Sequence, residues 1–570
     1  MAQALQQLTP LLRWLPGLTL LLFLGPVVAG LLGTLLPAFG YMPALGGERF
    51  SFEPWRRLLD APGLATAVRV TLTSGFAATV LALLLTVLAF AAGHGTRAFM
   101  TAKRAMTPLL AVPHVALAVG LAFLIAPSGW LARLVSPWLT GWQTPPDLAT
   151  VQDPWGLALT IGLVVKETPF LFLMTFAALG QVGAKEQLRM ARSLGYGPAQ
   201  AWLKVVLPQV YPQIRLPVYA VLAYSLSVVD LALVLGPTTP PPLAPMVLRW
   251  LNDPDLAVHF VGAAGAVLQF LLVAVAIAAW RGLELAVGWL ARPWLAAGRR
   301  GAHGAGARWL ASAGLVLLFG LALGSLLGLA VWSVAGPWRY PEPWPREISP
   351  GVWAERVAML AGPAWTTLTV GLAAAAIALV LVAGCLENEA RRQRSAGRGA
   401  LMMVYLPLLV PQIGFLFGVQ VLLVASGIDG TWGALVWAHL LFVLPYVFLA
   451  LSDPYRSLDP RYGRSALALG KSPLAVWFRI KLPLLLRPVL IAAAVGFAVS
   501  VAQYLPTLFA GGGRLSTLTT EAVSLAAGGD RRTVGMFAFS LAILPLLGFA
   551  IAIGAPAWRF RHRRAMQVGT

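Results

Sequence analysis

Two stretches of the chain read alike: RMARSLGYGPAQAWLKVVLP at Arg189–Pro208 and RSALALGKSPLAVWFRIKLP at Arg464–Pro483. The glycine, the tryptophan and the final Leu-Pro pair of the first stretch all return in the second at one constant spacing, that between Gly195 and Gly470. A resemblance at one long, fixed spacing indicates that a whole structural unit has been duplicated. The pair therefore predicts a chain built from two copies of one fold.

The composition predicts a membrane protein. Of the 570 residues, 58% are apolar and only 11% are charged, whereas soluble domains carry roughly 25% charged residues. This excludes a soluble enzyme and a disordered protein. The single cysteine, Cys385, excludes a disulfide framework and a cysteine-based metal site within one chain. We expect an all-α polytopic membrane protein.

Apolar stretches long enough to cross a bilayer recur along the whole chain. They predict twelve transmembrane helices, at Leu15–Leu36, Ala65–Ala92, Thr107–Ala126, Trp155–Leu179, Leu216–Leu235, Val258–Trp280, Trp309–Val331, Trp365–Gly384, Leu401–Ala425, Trp432–Leu451, Val489–Phe509 and Val534–Ala555.

The basic residues predict the orientation. With the N-terminus inside, the cytoplasmic segments hold 29 of the 42 Lys and Arg residues, the outer segments hold 11 and the spans hold 2. Because Lys and Arg accumulate in cytoplasmic loops, both termini and both repeated stretches are expected to lie in the cytoplasm. Attraction of these loops to anionic lipid accounts for the net charge of +21, so no nucleic-acid partner is needed.

The repeat divides the chain into two six-helix units. We predict a first unit at residues 1–294 with its loop at 186–208, a cytoplasmic linker at 295–308, and a second unit at 309–570 with its loop at 459–483. TLT motifs that begin at Thr71 and Thr367, and a Val-Pro pair in each unit, support the duplication. Two units related by a pseudo-twofold axis favour a substrate path between them.

Each loop predicts two short helices that meet at a glycine. Gly195 and Gly470 end a basic helix and suit a left-handed C-cap. Pro198 and Pro473 occupy the first turn of a second, amphipathic helix. The Leu-Pro pair should end that helix, because proline lacks an N–H and clashes with the preceding turn. An amphipathic helix lying on the membrane is the simpler interpretation, but two copies at matched positions favour a docking element.

The spacing Gly, nine residues, Val/Ile-x-Leu-Pro resembles the EAA loop of permeases from binding-protein-dependent ABC importers. The chain departs from that family at the leading acid, where Arg189 and Arg464 stand in place of glutamate. Glu186 and Asp459 lie about one turn earlier and are candidates to replace it. The fused, duplicated layout resembles the thiamine and ferric-iron branch of these permeases.

The resemblance implies a permease that moves a solute by alternating access and has no enzymatic activity of its own. It implies three kinds of partner: two copies of a separate ABC ATPase, a periplasmic solute-binding protein, and the lipid of the bacterial inner membrane. The coupling residues that it implies are Gly195, Pro198, Trp202, Val205, Leu207, Pro208, Gly470, Pro473, Trp477, Ile480, Leu482 and Pro483.

No motif in the chain predicts a nucleotide, metal or cofactor site. The stretch ending in Gly470-Lys471-Ser472 resembles a phosphate-binding loop, but Ser465 stands where the first glycine is required. The six histidines form no HExxH motif and no i, i+4 pair. ATP hydrolysis is therefore assigned to another subunit.

Ionisable and polar residues inside spans are candidates for the translocation path. These are Asp230, Gln503, Lys166, Glu167 and His439. Asp230 in SVVD and Gln503 in SVAQ are interpreted as matched positions that face each other across the axis. The alternative is that Lys166 forms a structural ion pair with Glu167 or Asp230.

The alternatives for function are a secondary transporter with two sets of six helices and a membrane-embedded enzyme. The first should carry acids between its second and third spans, and GHGTRAFMTAKR at residues 93–104 has none. For the second, no catalytic constellation is found. Glu167 and Asp230, together with the aromatic Tyr224 and Trp280, would suit thiamine or a related organic cation, and ferric iron is the next candidate substrate.

The predicted orientation can be tested by labelling. In a Cys385→Ser background, a cysteine placed at Gly195 or Gly470 should not react with a membrane-impermeant thiol reagent in intact cells, whereas one at Asp60 in an outer segment should. Ready labelling at either glycine position would contradict the topology.

Overall fold

A computed structural model of the chain describes residues 2–94, 96–301, 305–393 and 409–561, together with residues 397, 399, 403 and 407. Within this described part, the regular secondary structure is helical and no strand is formed. Several of the helices are long and apolar enough to span a membrane. The predicted all-α polytopic class is therefore confirmed.

The N-terminal part comprises thirteen described helices. In chain order they are α1 Ala2–Ala38, α2 Glu53–Leu59, α3 Leu64–Gly93, α4 Arg97–Ala111, α5 His114–Ile125, α6 Trp130–Val135, α7 Leu157–Leu179, α8 Ala184–Ser193, α9 Pro198–Ala201, α10 Leu207–Ser227, α11 Asp230–Leu235, α12 Leu243–Leu251 and α13 Val258–Ala296. A π-helical turn at Trp202–Val206 joins α9 to α10, and a 3₁₀ turn lies at Pro43–Leu45.

The described helices of the C-terminal part follow a similar order. They are α14 Ala305–Val334, α15 Gly351–Arg392, α16 Ile413–Ala425, α17 Trp432–Arg456, α18 Pro460–Ala468, α19 Pro473–Val476, α20 Leu482–Leu484, α21 Leu486–Val501, α22 Leu505–Gly511, α23 Leu518–Ala526 and α24 Arg531–Arg559. A π-helical turn at Trp477–Lys481 joins α19 to α20.

Nine helices of the described chain are long and apolar enough to cross a membrane, and they correspond to nine of the twelve predicted spans. The other three predicted spans differ. Of Leu401–Ala425, only α16 is described as a helix, and most of residues 401–408 lie outside the described part. The spans predicted at Leu216–Leu235 and Val489–Phe509 are each broken into two helices.

The two breaks lie at corresponding places. The first separates α10, which ends at Ser227, from α11, which starts at Asp230. The second separates α21, which ends at Val501, from α22, which starts at Leu505. A break in a helix at membrane depth leaves backbone groups without their helical partners, and such groups must be satisfied inside the protein.

Side chains from neighbouring segments satisfy the freed carbonyls. In the N-terminal part, Gln269 Nε2 donates to the carbonyl of Leu226 at 2.9 Å. In the C-terminal part, the hydroxyl of Thr519 donates to the carbonyl of Val501. Leu226 and Val501 have the same separation in sequence as the two loop glycines. The two broken spans are therefore stabilised at equivalent carbonyls by different donors.

The threonines of the TLT motifs hold the helix that follows each break. The hydroxyl oxygen of Thr71 accepts a hydrogen bond from the backbone N–H of Leu243 at 2.9 Å. Thr367 accepts one from Leu518, also at 2.9 Å. These donors are the first residues of α12 and α23, and their separation in sequence is again that of the repeated loops. The sequence match therefore corresponds to matched contacts.

The first helix of each part packs on the other part. At the crossing of α1 and α16, a Cβ added to Gly33 would lie 2.9 Å from Gly418 Cα, and Gly418 donates its N–H to Thr34 Oγ1 at 3.2 Å. Where α14 crosses α5, a Cβ on Gly120 would lie 2.5 Å from the carbonyl oxygen of Ser325. Small residues allow this close approach of membrane helices, so the two parts interlock.

Candidate functional site

The two repeated loops have the same backbone geometry. Gly195 follows α8 with φ +85°, and Gly470 follows α18 with φ +77°. In the first loop the N–H of Gly195 donates to the Arg192 carbonyl at 2.9 Å, and the N–H of Tyr196 donates to the Ala191 carbonyl at 3.1 Å. The second loop makes the equivalent pair of bonds. This is a Schellman C-cap, and the predicted left-handed caps are confirmed.

The second helix of each loop starts where it was predicted. Pro198 opens α9 after Gly197. Pro473 opens α19, and the hydroxyl of the capping residue Ser472 accepts the N–H of Ala475 at 3.2 Å. A serine hydroxyl satisfies a backbone donor at this position, which glycine cannot do. The second loop therefore has the better-capped helix.

The prediction that Leu-Pro ends this helix is wrong. In both loops the chain stays helical through the proline, because a π-helical turn precedes it. Leu207 donates its N–H to the carbonyl of Trp202, and Leu482 donates to Trp477, each five residues back. The wider turn accommodates a proline that would clash in an α-helix. Between α20 and α21 the helix then bends by 79°.

The two acids near the start of the loops stabilise helix N-termini. The carboxylate of Glu186, in the first turn of α8, lies 3.0 Å from the guanidinium of Arg189. A hydrogen bond from its own backbone N–H and the bond from Arg189 hold the pKa of Glu186 below its usual value. Asp459 caps α18 and accepts the N–H of Arg461 at 2.8 Å. Negative charge is favourable at both positions.

The first loop is joined to the membrane helices by aromatic packing. Trp202 is 1% exposed, and its ring centroid lies 5.8 Å from that of Phe90 in α3. Phe90 in turn lies 4.8 Å from Phe172 and 4.9 Å from Phe99. Trp477, the equivalent residue of the second loop, is only half-buried. The two loops therefore differ in how they are attached.

The second loop is joined to the membrane helices by a buried carboxylate, Glu387 near the end of α15. Lys481 of the π-helical turn lies 2.6 Å from its carboxylate, and Arg391 lies 2.9 Å from it. The hydroxyl of Tyr455, at the end of α17, donates to the same carboxylate. Glu387 thus binds the loop to two long helices. Sequence reasoning missed it, although an acid at the end of a span beside basic residues is a usable signal.

The N-terminal part has a different carboxylate cluster, centred on Glu284. Glu284 of α13 accepts hydrogen bonds from the hydroxyls of Tyr211 at 2.8 Å and Tyr219 at 3.2 Å. Arg281 and Arg215 form ion pairs with it at 2.7 and 3.0 Å. This cluster fixes α10, which continues from the first loop, against α13. The Arg281–Glu284 pair has helical i,i+3 spacing, but Tyr211, Arg215 and Tyr219 lie too far from Glu284 in sequence to be predicted as its partners.

A second group of polar residues lies inside the predicted spans. Lys166 of α7 is 5% exposed, and its ammonium donates to the carbonyls of Leu110 at 3.0 Å and Val112 at 2.5 Å. Helix α4 ends at Ala111, so these carbonyls lack helical partners. Neither predicted ion pair of Lys166 forms within 4 Å in the described structure. Lys166 instead caps a neighbouring helix.

Glu167 and Asp230 both lie near His114 and Tyr224. Glu167 is 3.7 Å from His114 Nε2, and the His114 ring centroid lies 4.8 Å from that of Tyr224. The Tyr224 hydroxyl is buried and interacts electrostatically with both carboxylates. Asp230 is the first residue of α11 and is 8% exposed. Two of the predicted path residues, Glu167 and Asp230, therefore come together.

The C-terminal part contributes two tyrosines to this group. Tyr446 of α17 lies near Glu167, and Tyr504, in the second break, lies near Asp230. The polar cluster, defined as Lys166, Glu167, Asp230, His114, Tyr224, Tyr446 and Tyr504, therefore contains residues of both parts. It offers carboxylates and aromatic faces in buried surroundings, an arrangement that suits a bound cation.

The predicted matching of Asp230 with Gln503 is wrong. The contacts around both breaks keep the spacing of the loop glycines, which pairs Asp230 with Leu505 and Gln503 with Val228. Gln503 lies in the second break, and its Nε2 donates to the carbonyl of Val499 in α21 at 3.1 Å. The alignment of SVVD with SVAQ is therefore shifted by two residues from the register that these contacts define.

The remaining path and substrate candidates lie elsewhere. His439 is 1% exposed and forms hydrogen bonds with the hydroxyls of Ser500 at 2.8 Å and Thr507 at 2.9 Å. It therefore joins α21 to α22 across the second break. Trp280, predicted as an aromatic neighbour of the acids, instead donates to the Tyr211 hydroxyl at 3.1 Å. In the described residues, no group of three His, Cys, Asp or Glu is placed to hold a metal.

Comparison with known proteins reveals one relative over almost the whole chain. It is the inner membrane ABC transporter permease protein YnjC of Escherichia coli, 32% identical over 546 residues, which cover 95% of this chain and 97% of that protein. The betaine permease ProW of Salmonella typhimurium is 29% identical over 189 residues, covering 32% of this chain and 52% of ProW. The molybdenum permease ModB of Mycobacterium bovis is 30% identical over 185 residues, which cover 30% of this chain and 70% of ModB. No family model matches the chain.

The role of Glu387 can be tested by substitution. Glu387→Gln keeps the shape of the side chain but removes its charge, leaving Lys481 partly buried beside a neutral group. Breaking such a pair costs about 3 kcal/mol of stability, so the thermal midpoint of the purified chain in detergent should fall. Glu53→Gln is the control, because the exposed Glu53–Arg57 pair contributes at most about 1 kcal/mol. Equal midpoints for the two variants would contradict this role.

Proposed function

The chain belongs to the inner-membrane permeases of ABC transporters, and from this premise we propose that it is the membrane subunit of a binding-protein-dependent importer. A periplasmic binding protein delivers a small solute, and the permease moves it to the cytoplasm by alternating access. A separate ABC ATPase, present in two copies, supplies the energy. The observation that carries the proposal is the pair of loops with one backbone geometry.

The proposed docking elements are the repeated loops at 186–208 and 459–483. Each presents a short helix, opened by a proline and preceded by a glycine with positive φ. Each is also tied to the spans, the first by Trp202 and the second by Lys481 and Glu387. A rigid attachment would let movement of the ATPase pass into the membrane helices. The twelve coupling residues named from the sequence belong to these elements.

The proposed architecture is two six-helix units with the linker at 295–308, both termini and both loops being cytoplasmic. The matched breaks, TLT contacts and helix crossings support the duplication. The shorter relatives each match only about a third of this chain, which fits one permease unit. A secondary transporter is not favoured, because the full-length relative is an ABC permease.

The proposed path passes through the polar cluster, because it joins residues of both parts at predicted membrane depth. Two carboxylates and three tyrosines suit an organic cation such as thiamine, whose charge can lie against acids and aromatic faces. Ferric iron is the second candidate, since carboxylate and phenol oxygens can bind it. The relatives are named for betaines and for molybdenum, so the substrate class rests on this cluster. The thiamine and ferric-iron branch is proposed on the fused layout.

Asp230→Asn tests the path. The variant removes one negative charge without changing side-chain size, so a cationic substrate should lose a charge-assisted contact and transport should fall about tenfold. Uptake of the proposed cationic substrate, thiamine, and ATP hydrolysis stimulated by it would be measured in proteoliposomes that also contain the binding protein and the ATPase. Assembly with the ATPase should be unchanged.

Glu48→Gln, the same kind of charge change in an exposed outer segment, is the matched control and should transport like the parent. If Asp230→Asn transports normally, the path does not use this carboxylate. If it instead prevents assembly with the ATPase, Asp230 has a structural role.

Valine at Gly470 or Gly195 tests the docking elements. A β-branched residue at positive φ is strained by about 1 kcal/mol or more, which should tilt the second helix of the loop. Insertion depends on the spans and should persist, while copurification of the ATPase and stimulated ATP hydrolysis should fall. Gly433→Val is the control, because Gly433 lies within helix α17 and has open space around it. Normal ATPase binding by both loop variants would remove the main support for the importer.

A further inference from the structure

The second loop exposes far more apolar surface than the first. Its exposed large side chains are Tyr462 at 55%, Leu467 at 45%, Leu469 at 80%, Leu474 at 50% and Phe478 at 56%. When the two loops are aligned on Gly195 and Gly470, the counterparts in the first loop are Gln187, Arg192, Leu194, Ala199 and Leu203. Of these counterparts only Leu194, at 62%, is a large exposed apolar side chain. Met190, at 61%, adds one more.

The chain's own linker covers part of the first loop. The backbone carbonyl of Arg300 accepts the N–H of Gly197 at 3.1 Å, and that of Ala297 accepts the Lys204 ammonium at 2.7 Å. At Gly301 an added Cβ would clash with the side chain of Gln200. By contrast, a Cβ on Gly470 would meet nothing within 4 Å in the described structure. The second loop is thus open where the first is overlaid.

The basic residues do not distinguish the two surfaces. The first loop exposes Lys185, Arg189 and Arg192, and the linker adds Arg299 and Arg300. The second loop exposes a comparable set at Arg461, Arg464, Lys471 and Arg479. Salt should therefore weaken the charged contacts of both loops. The two loops then differ in the apolar surface that the second loop exposes.

We propose that the two docking loops bind the ATPase unequally. The second loop, through Leu469, Leu474 and Phe478, is the hydrophobic anchor for one ATPase copy. The first loop, together with linker residues 297–301, forms a more polar contact that salt releases. This inference rests on the proposed function, because it assumes that the ATPase docks on these loops.

The ATPase fits the second loop better than a lipid surface does. The exposed side chains come from both helices of the loop and surround the turn at Gly470, continuous with the proposed docking element. Apolar and aromatic side chains in the centre with charged residues around them are typical of a protein interface. In the first loop the linker, which is protein and not lipid, contacts Gly197, Gln200 and Lys204.

The test compares Leu469→Ser with Leu194→Ser in the full complex of the chain and its copurifying ATPase. Both leucines are the residue before the loop glycine and both are exposed, so neither change should disturb folding. Native mass spectrometry and sedimentation would count ATPase copies per permease in nanodiscs, at physiological salt and at roughly 1 M salt, where the Debye length is about 3 Å.

We expect the parent to hold two copies at physiological salt and one at high salt. Leu469→Ser should weaken the salt-resistant copy about tenfold, the effect of losing one buried leucine. Leu194→Ser should leave that copy in place. Phe478→Ser is a second variant of the anchor and should act like Leu469→Ser.

Other outcomes distinguish a failure of the unequal docking from a failure of the proposed importer function. Equal weakening by Leu469→Ser and Leu194→Ser would overturn the unequal docking but leave the importer intact. Loss of both ATPase copies from the parent at high salt would also overturn the unequal docking. If the parent binds no ATPase under any condition, the proposed function is wrong. If Leu469→Ser alters association of the chain with lipid but not with ATPase, the patch faces the membrane and the inference is wrong.

Discussion

Every backbone carbonyl and N–H freed inside a membrane needs a partner from the protein itself, because the surrounding lipid offers none. This constraint governs the molecule wherever a span is interrupted. Gln269 and Thr519 bind the carbonyls released at the two breaks, and Lys166 binds those released at the end of α4. Several polar residues at membrane depth are therefore explained by the helix ends that they satisfy, before any substrate is considered.

That explanation narrows the candidate site. Once Lys166 is assigned to a helix end and His439 to the eleventh span, the acids that remain are Glu167 and Asp230. Lys166 is held by two carbonyls and not by either carboxylate, so its charge does not form a close ion pair with them. A cation that enters the cluster would therefore find two carboxylates of which Glu167 lies 3.7 Å from His114 Nε2 and neither is paired with Lys166. This is why the cluster, and not each charged residue alone, is the unit to which we assign substrate binding.

The features that could be predicted from the sequence were local. A glycine after a basic helix and a proline after a capping residue determine backbone geometry within a few residues, so the C-caps at Gly195 and Gly470 were found. The partners of Lys166 lie on a different helix, remote in sequence, and no local pattern indicates them. The short match at Asp230 and Gln503 could not fix a register that Thr71 and Thr367 set through contacts. The π-helical turns were missed because the proline rule assumes an α-helix.

The proposed duplication within one chain would also explain how the two parts have similar folds but attach their loops through different contacts. In a dimer of identical chains, each contact of one subunit recurs in the other, so the two docking loops would have to be the same. A fused chain is free of this requirement. Here the first loop is fixed by Trp202 in an aromatic cluster, and the second by Lys481 on Glu387. The packing of Trp202 involves no charged partner, whereas the buried Lys481–Glu387 pair depends on both of its charges. Within the described residues the linker, which exists only because the parts are fused, contacts the first loop, so fusion itself would make the two proposed docking surfaces unequal.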